Sequence, residues 1–138
     1  MLHDETRKSY ILYRLQTAKD NLISAQILYD GEQLKAAANR AYYCVFHAMR
    51  SVLAIDGVDF KHHSGVIAYF RKEYIKNGTF DKKMSTIIQT TAMVRESSDY
   101  DDFYIISKED TKRQIDNAKL FLDEIEKYVT DFLEKSCL

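Results

Sequence analysis

Proline is missing from the 138 residues, and glycine occurs only at Gly31, Gly57, Gly65 and Gly78. Helix breakers are therefore scarce, and most of these glycines fall where an apolar periodicity stops. Cysteine is nearly as rare. Cys44 lies inside an apolar run and Cys137 one residue from the end. Two such residues make no disulfide framework and no recognisable metal knuckle, and the reducing cytosol is the expected compartment. No apolar run approaches the ~20 residues that a spanning helix needs. The opening MLHDETRKSYILYRL is charged and has no apolar h-region, so no secretory leader is expected. An excess of either charge is absent too, since 20 basic and 21 acidic residues leave a formal net charge of -1. No global field draws the chain to nucleic acid or to an anionic membrane, and contact with RNA would need a local patch.

What the chain does have is helical periodicity and ten tyrosines. Its length fits one domain, residues 1–138, able to bury roughly two-thirds of its extended surface. In residues 6–29, with Asp4 as the expected N-cap, Ile11, Leu15, Ala18, Leu22, Ala25 and Tyr29 form one stripe that Leu12, Ile23 and Leu28 widen. Asp30-Gly31 ends it. Residues 33–55 carry Leu34, Ala37, Ala41, Val45, Ala48, Val52 and Ile55, with Ala38, Tyr42, Phe46, Met49 and Leu53 at neighbouring angles. Apolar character wraps most of this helix, which predicts a central position. After a loop over 58–63, Ser64 is the expected cap of a short helix through Val66, Ile67, Phe70 and Tyr74, broken at Lys76-Asn77-Gly78. A fourth helix is predicted over 82–95, with Met84, Ile87, Ile88, Thr91 and Val94 inward. Residues 96–106 read as a loop anchored by Tyr100 and Phe103. Ser107 is the expected N-cap of a last helix, with Asp110 in the capping-box position and Ile115, Ala118, Leu122, Ile125, Val129 and Phe132 inward. The fold class is all-α: an up-and-down antiparallel bundle of four long helices plus one short helix.

Against this apolar background, Arg40, Tyr43, His47 and Arg50 stand out. Steps of three, four and three put them on one face, with Arg40 and His47 about 10 Å apart along the axis. Desolvating such groups costs several kcal/mol, so the seam must meet water, acids or a polyanion. One reading is RNA cleavage, with arginine holding a phosphate and histidine moving protons. The other is a polar network or dimer seam, with Arg40 and Arg50 paired to Glu96, Asp99, Asp101 or Asp102. His62 and His63 adjoin a helix start, where one of them can approach His47 or merely order the loop. Cys44 and His47 form at most half of a metal site, and no further ligands are implied by spacing, so neither metal nor cofactor is expected. Arg95 ends the fourth helix as a dipole partner, locked to a local Asp or free for phosphate. It meets Tyr100 only if the helix breaks near Ser97.

The stretches AANRAYYCVFHAMRSVLAIDG, KHHSGVIAYFRKEYIKNGTFDK and VRESSDYDDF, in that order, resemble the HEPN superfamily, above all its small stand-alone UPF0332-type branch. The resemblance spans residues 21–132. It implies a helical bundle of about five helices that commonly forms a homodimer. It also implies a metal-independent ribonuclease, the toxin of a toxin–antitoxin pair whose partner is a small nucleotidyltransferase of the minimal type. Active members carry an Arg, four to six residues, then a His. Arg40 and His47 meet that spacing, but on the second helix. Arg95 stands where the later motif arginine is expected, followed by Glu96, and Tyr100 stands in place of the histidine. Tyrosine, with a reference pKa near 10, is a poor proton shuttle at neutral pH. Tyr43, His47, His63 and Arg95 resemble recurring positions of the branch. The resemblance therefore offers Arg40, Tyr43, His47, His63, Arg95 and Tyr100 as catalytic candidates. It equally admits a catalytically inactive partner that binds the transferase or a nucleotide-containing ligand, with Tyr100 or Tyr104 open to modification by the transferase.

Overall fold

The computed structural model describes residues 2–136, and side chains from Glu5 onward; Cys137 lies outside the described residues. Five helices follow one another: α1 (Leu2–Asp30), α2 (Leu34–Ile55), α3 (His63–Phe70, continued by a π-helical turn, Arg71–Ile75), α4 (Lys83–Tyr100) and α5 (Lys108–Ser136). They form an up-and-down bundle without strands among the described residues, and none of them is long and apolar enough to cross a membrane.

α2 packs against each of the other four helices. The reason is visible in its sequence. Alanines at 37, 38, 41 and 48 let neighbours approach, while Val45, Phe46, Met49, Val52 and Leu53 fill the space around them, all buried. α1 contributes Ile11, Leu15, Ala18 and Ala25, and α5 contributes Ile115, Ala118, Phe121, Leu122, Ile125 and Val129. Leu12 and Ile23, expected to widen the α1 stripe, are exposed. α1 begins ahead of Asp4, which is therefore inside the helix and not its cap.

Two boundaries differ from the sequence expectation for physical reasons. α3 starts at His63 with His62 at the N-cap, and Ser64 makes no cap bond. Its π-helical end turns Tyr74 inward against Phe70 and Phe80. α4 does not break near Ser97 but runs to Tyr100. An i,i+4 pair between Arg95 and Asp99 supports this last stretch, and Ser98 is buried beneath it. Tyr100 and Phe103, expected as loop anchors, point to solvent, and Ile106 is the buried anchor instead. At α5 the Ser107 hydroxyl accepts the Asp110 amide at 2.9 Å, as an N-cap should, while the Asp110 carboxylate turns to Arg113.

Candidate functional site

The seam on α2 divides when the helices assemble. Arg40 is exposed, and its guanidinium reaches Asn21 of α1 at 3.4 Å. Tyr43, His47 and Arg50 instead face the start of α3 and the loop before it. His63, the first residue of α3, lays its ring against Phe46, centroids 4.0 Å apart. The Tyr42 hydroxyl sits 3.0 Å from His63 Nδ1. The His47 ring lies next to Phe46 and Tyr43, at 5.6 and 6.2 Å. From α4, Arg95 donates to the Tyr43 hydroxyl at 3.2 Å and lies over the rings of Tyr42 and Tyr43. Four elements thus converge: α2, the 56–62 loop, α3 and α4.

α1 supplies the outer edge. Arg14 donates to the Tyr10 hydroxyl at 2.7 Å and stacks over that ring, and the Tyr10 hydroxyl points at Asp59 Oδ2 at 3.4 Å. Asp59 also pairs with Arg50 and accepts the Phe60 amide at 2.8 Å. Between these groups opens a cavity of about 410 Å³ lined by Phe46, Arg50, Asp59, Phe60, Lys61 and His63.

The electrostatics favour neutral imidazoles. Burial, followed by the charges of Arg14, Arg50 and His63, lowers the His47 pKa from 6.5 to about 4. His63 is also held below the usual histidine range, by burial and then by Arg95 and Arg50. Burial pushes the Tyr42 phenol up to about 12 in spite of Arg95. Tyr42 therefore keeps its proton, and its hydroxyl shares a hydrogen bond with Nδ1 of a neutral His63. Burial alone would raise the Asp59 pKa, but the hydrogen bonds from Arg50 and the Phe60 amide, with the charges of Arg50 and Arg14, bring it down. Asp59 is a carboxylate that holds Arg50 and the loop together.

Of the sequence candidates, Tyr43, His47, His63 and Arg95 are brought together. Arg40 is not among the groups around His63, and Tyr100 is 75 % exposed beyond the end of the Arg95 turn. The acids proposed for the seam are also different ones: Arg50 takes Asp59, and Asp99 goes to Arg95. Arg14, Tyr42, Phe46 and Asp59 were not singled out as site residues by sequence reasoning. Arg14 carried one signal, a cation three residues from Ile11 at the edge of a buried stripe. Cys44 cannot join His47 at a metal. It faces α5, with Sγ toward the Ala118 carbonyl, and burial, followed by Asp123, pushes its thiol up to about 12. Among the described residues, no group of three His, Cys, Asp or Glu is placed to hold a metal ion.

What this arrangement can do is bind an anion among guanidinium groups and move protons with two histidines beside it. A UPF0332 protein of Thermotoga maritima is 33% identical over 125 residues, covering 91% of this chain and 95% of its own. A candidate toxin of Methanocaldococcus jannaschii is 30% identical over 115 residues, 83% of this chain and 78% of its own. The crystal structure of an archaeal HEPN homologue superposes with a TM-score of 0.61 at 16% identity, over 86% of this chain and 97% of that one, which supports the bundle itself. The HEPN domain model matches residues 11–128, and with the UPF0332 similarity this establishes that the chain belongs to the HEPN family.

Proposed function

We propose that this protein is a metal-independent endoribonuclease acting as the HEPN component of a toxin–antitoxin pair. The observation that carries the reading is the meeting of His63 and Arg50 at an open cavity, with His47 against Phe46 and Arg95 over Tyr42 directly behind them. In this scheme a neutral His47 takes the proton of a ribose 2′-hydroxyl, whose oxygen attacks the adjacent phosphorus. The bond from phosphorus to the 5′-oxygen breaks, and His63 returns a proton to that oxygen. The products are a 2′,3′-cyclic phosphate and a free 5′-hydroxyl. Arginine stabilises the charge growing on the non-bridging oxygens. The phosphodiester anion itself offsets the cationic field around His63, so bound substrate favours the protonated acid that the empty site disfavours. The similarity to a candidate toxin agrees with this role.

The test is cleavage of RNA by the purified protein in excess EDTA. His47→Gln and His63→Gln are each expected to lower cleavage at least 100-fold with helicity intact. Arg95→Ala is expected to fall by a similar factor, and Arg40→Ala to stay within a few-fold of the parent. Normal cutting by both histidine variants would remove the site.

One set of observations favours a second reading, a catalytically inactive HEPN partner of a minimal nucleotidyltransferase. Arg50 and Arg95 each have a carboxylate of their own, and Tyr100, Phe103 and Ile105 are strongly exposed on one stretch. Co-purification with such a transferase, no cleavage in EDTA, and a mass increase on Tyr100 or Tyr104 with ATP and the transferase would favour it.

A further inference from the structure

We propose that the cavity between α2 and the 56–62 loop is a stacking subsite for one nucleobase of single-stranded RNA, with Phe60 as its platform and Lys61 and Arg50 holding the adjoining phosphate. The proposal rests on the RNA reading above and extends it from the reacting phosphate to the base beside it.

Phe60 is 40% exposed, yet it is fixed from several sides. Its backbone amide is tied to Asp59 Oδ1 at 2.8 Å. Its ring leans on Tyr69, centroids 5.7 Å apart. It also sits directly on Gly65 at the start of α3: a Cβ on that glycine would lie 2.9 Å from the Phe60 Cβ and Cγ, closer than real Cβ atoms come. Gly65 has an ordinary helical backbone here, so it is the close approach of Phe60 that calls for glycine. Phe60 thus presents a part-exposed ring that is held in place beside Arg50 and Lys61.

The surroundings fit a base and a phosphate. Phe46 and His63 line the cavity with Phe60, and its volume of about 410 Å³ lies within the range of small-ligand sites. Arg50 and Lys61 outnumber the single carboxylate, Asp59, which is already engaged by Arg50 and the Phe60 amide. Aromatic faces set among cations describe how single-stranded nucleic acid is held with little preference for sequence, because every base has a π-face. Asp59 also borders a second, larger cavity of about 700 Å³ that Arg7 and Tyr10 line. The strand can therefore continue from Phe60 to another aromatic ring with its own cation.

The test uses a short 2′-O-methyl RNA containing 2-aminopurine, which cannot be cut by attack of a 2′-oxygen. Wild-type protein is expected to quench the fluorophore on binding. Phe60→Leu, at an exposed position, is expected to bind roughly five- to a hundred-fold more weakly, and Phe60→Trp to bind as wild type. Gly65→Ala is expected to weaken binding as well, by displacing the ring without altering it. An oligomer abasic at that position, with binding read by the anisotropy of a terminal dye, should make wild type and Phe60→Leu equivalent. If Phe60→Leu, folded by circular dichroism, binds the probe and cuts unmodified RNA as wild type does, the subsite is wrong and the ribonuclease reading stands. If quenching depends on Phe60 but wild type leaves unmodified RNA intact in EDTA, the subsite stands and the ribonuclease reading falls. Wild-type protein that does not bind the oligomer overturns both.

Discussion

The most direct physical test of the site is the titration of His47. In an unfolded chain its ring takes up a proton below about 6.5; in the fold it does so only below about 4, because burial and the charges of Arg14, Arg50 and His63 oppose a further positive charge there. Between those values the unfolded state binds more protons than the folded one, so acid favours unfolding. The stability contributed by a neutral His47 is complete above 6.5, is eroded as pH falls through that window, and is gone below about 4. The full span corresponds to roughly 3 kcal/mol. His47 is partly exposed, so screening reduces the expected loss to about 1–2 kcal/mol. Urea denaturation of wild type and His47→Gln at pH 7.5 and pH 4.5 isolates this contribution from the carboxylates, which both proteins share. Wild type should lose about 1–2 kcal/mol more than the variant over that interval. The ring signal in a proton NMR titration should move with a midpoint well below 6, and Arg14→Ala should raise it. A His47 midpoint between 6 and 7, or parallel stability profiles, would refute the argument that this histidine is neutral because cations and burial surround it.

Two smaller predictions concern the scaffold. Asp56 at the end of α2 accepts the hydroxyls of Tyr69 and Tyr74 at 2.9 and 2.7 Å, so Asp56→Asn should cost about 1 kcal/mol in chemical denaturation, and an unchanged midpoint would mean that water replaces both bonds without loss. Ser107→Ala removes the α5 cap and should cost about 1 kcal/mol by the same measurement, with Ser107→Asp close to the parent.

Most of the bundle was legible because each long helix carries its own periodicity. The stripe Leu34, Ala37, Ala41, Val45, Ala48, Val52 and Ile55 is complete within α2 itself, and Asp30-Gly31 and Asp56-Gly57 end helices where they stand. The end of α4 was not legible. Glu96, Ser97, Ser98 and Asp99 look like loop residues by type, and only the packing of Ser98 and the Arg95–Asp99 pair keep them helical. The π-helical end of α3 was hidden likewise, since it is Tyr74 meeting Phe70 and Phe80 that turns it inward. The site was half legible. Helical spacing placed Tyr43, His47 and Arg50 on one face, but spacing along one helix says nothing about which part of that face another element covers. Arg40 satisfies the Arg-to-His interval and still lies on the other side of the question, against Asn21. Tyr42 and Asp59 gain their meaning from His63, Arg50 and Tyr10, which lie in other elements, and no local pattern carries that information.

The two carboxylates inside the cluster bear on what its cations are for. A buried ion pair would hold Arg50 and Arg95 permanently, because separating it strands a charge in a poor solvent. These pairs are not of that kind. The side chains of Arg50 and Asp59 are 19% and 40% exposed, and those of Arg95 and Asp99 are 22% and 33% exposed. Such pairs lie between the exposed and the fully buried case, and in the ribonuclease proposal a phosphodiester exchanges for the carboxylate. Asp59 has more than charge to contribute. Arg50 from α2, the hydroxyl of Tyr10 from α1 and the amide of Phe60 all converge on it, and so it fixes against α2 the loop that carries Phe60 and Lys61 and leads into His63. Asp99 has a narrower task, since it extends α4 by one turn and sets the height at which Arg95 crosses Tyr42 and Tyr43. In the ribonuclease proposal these acids place the arginines and give way to a phosphodiester, whereas in the inactive partner the same two pairs stay closed.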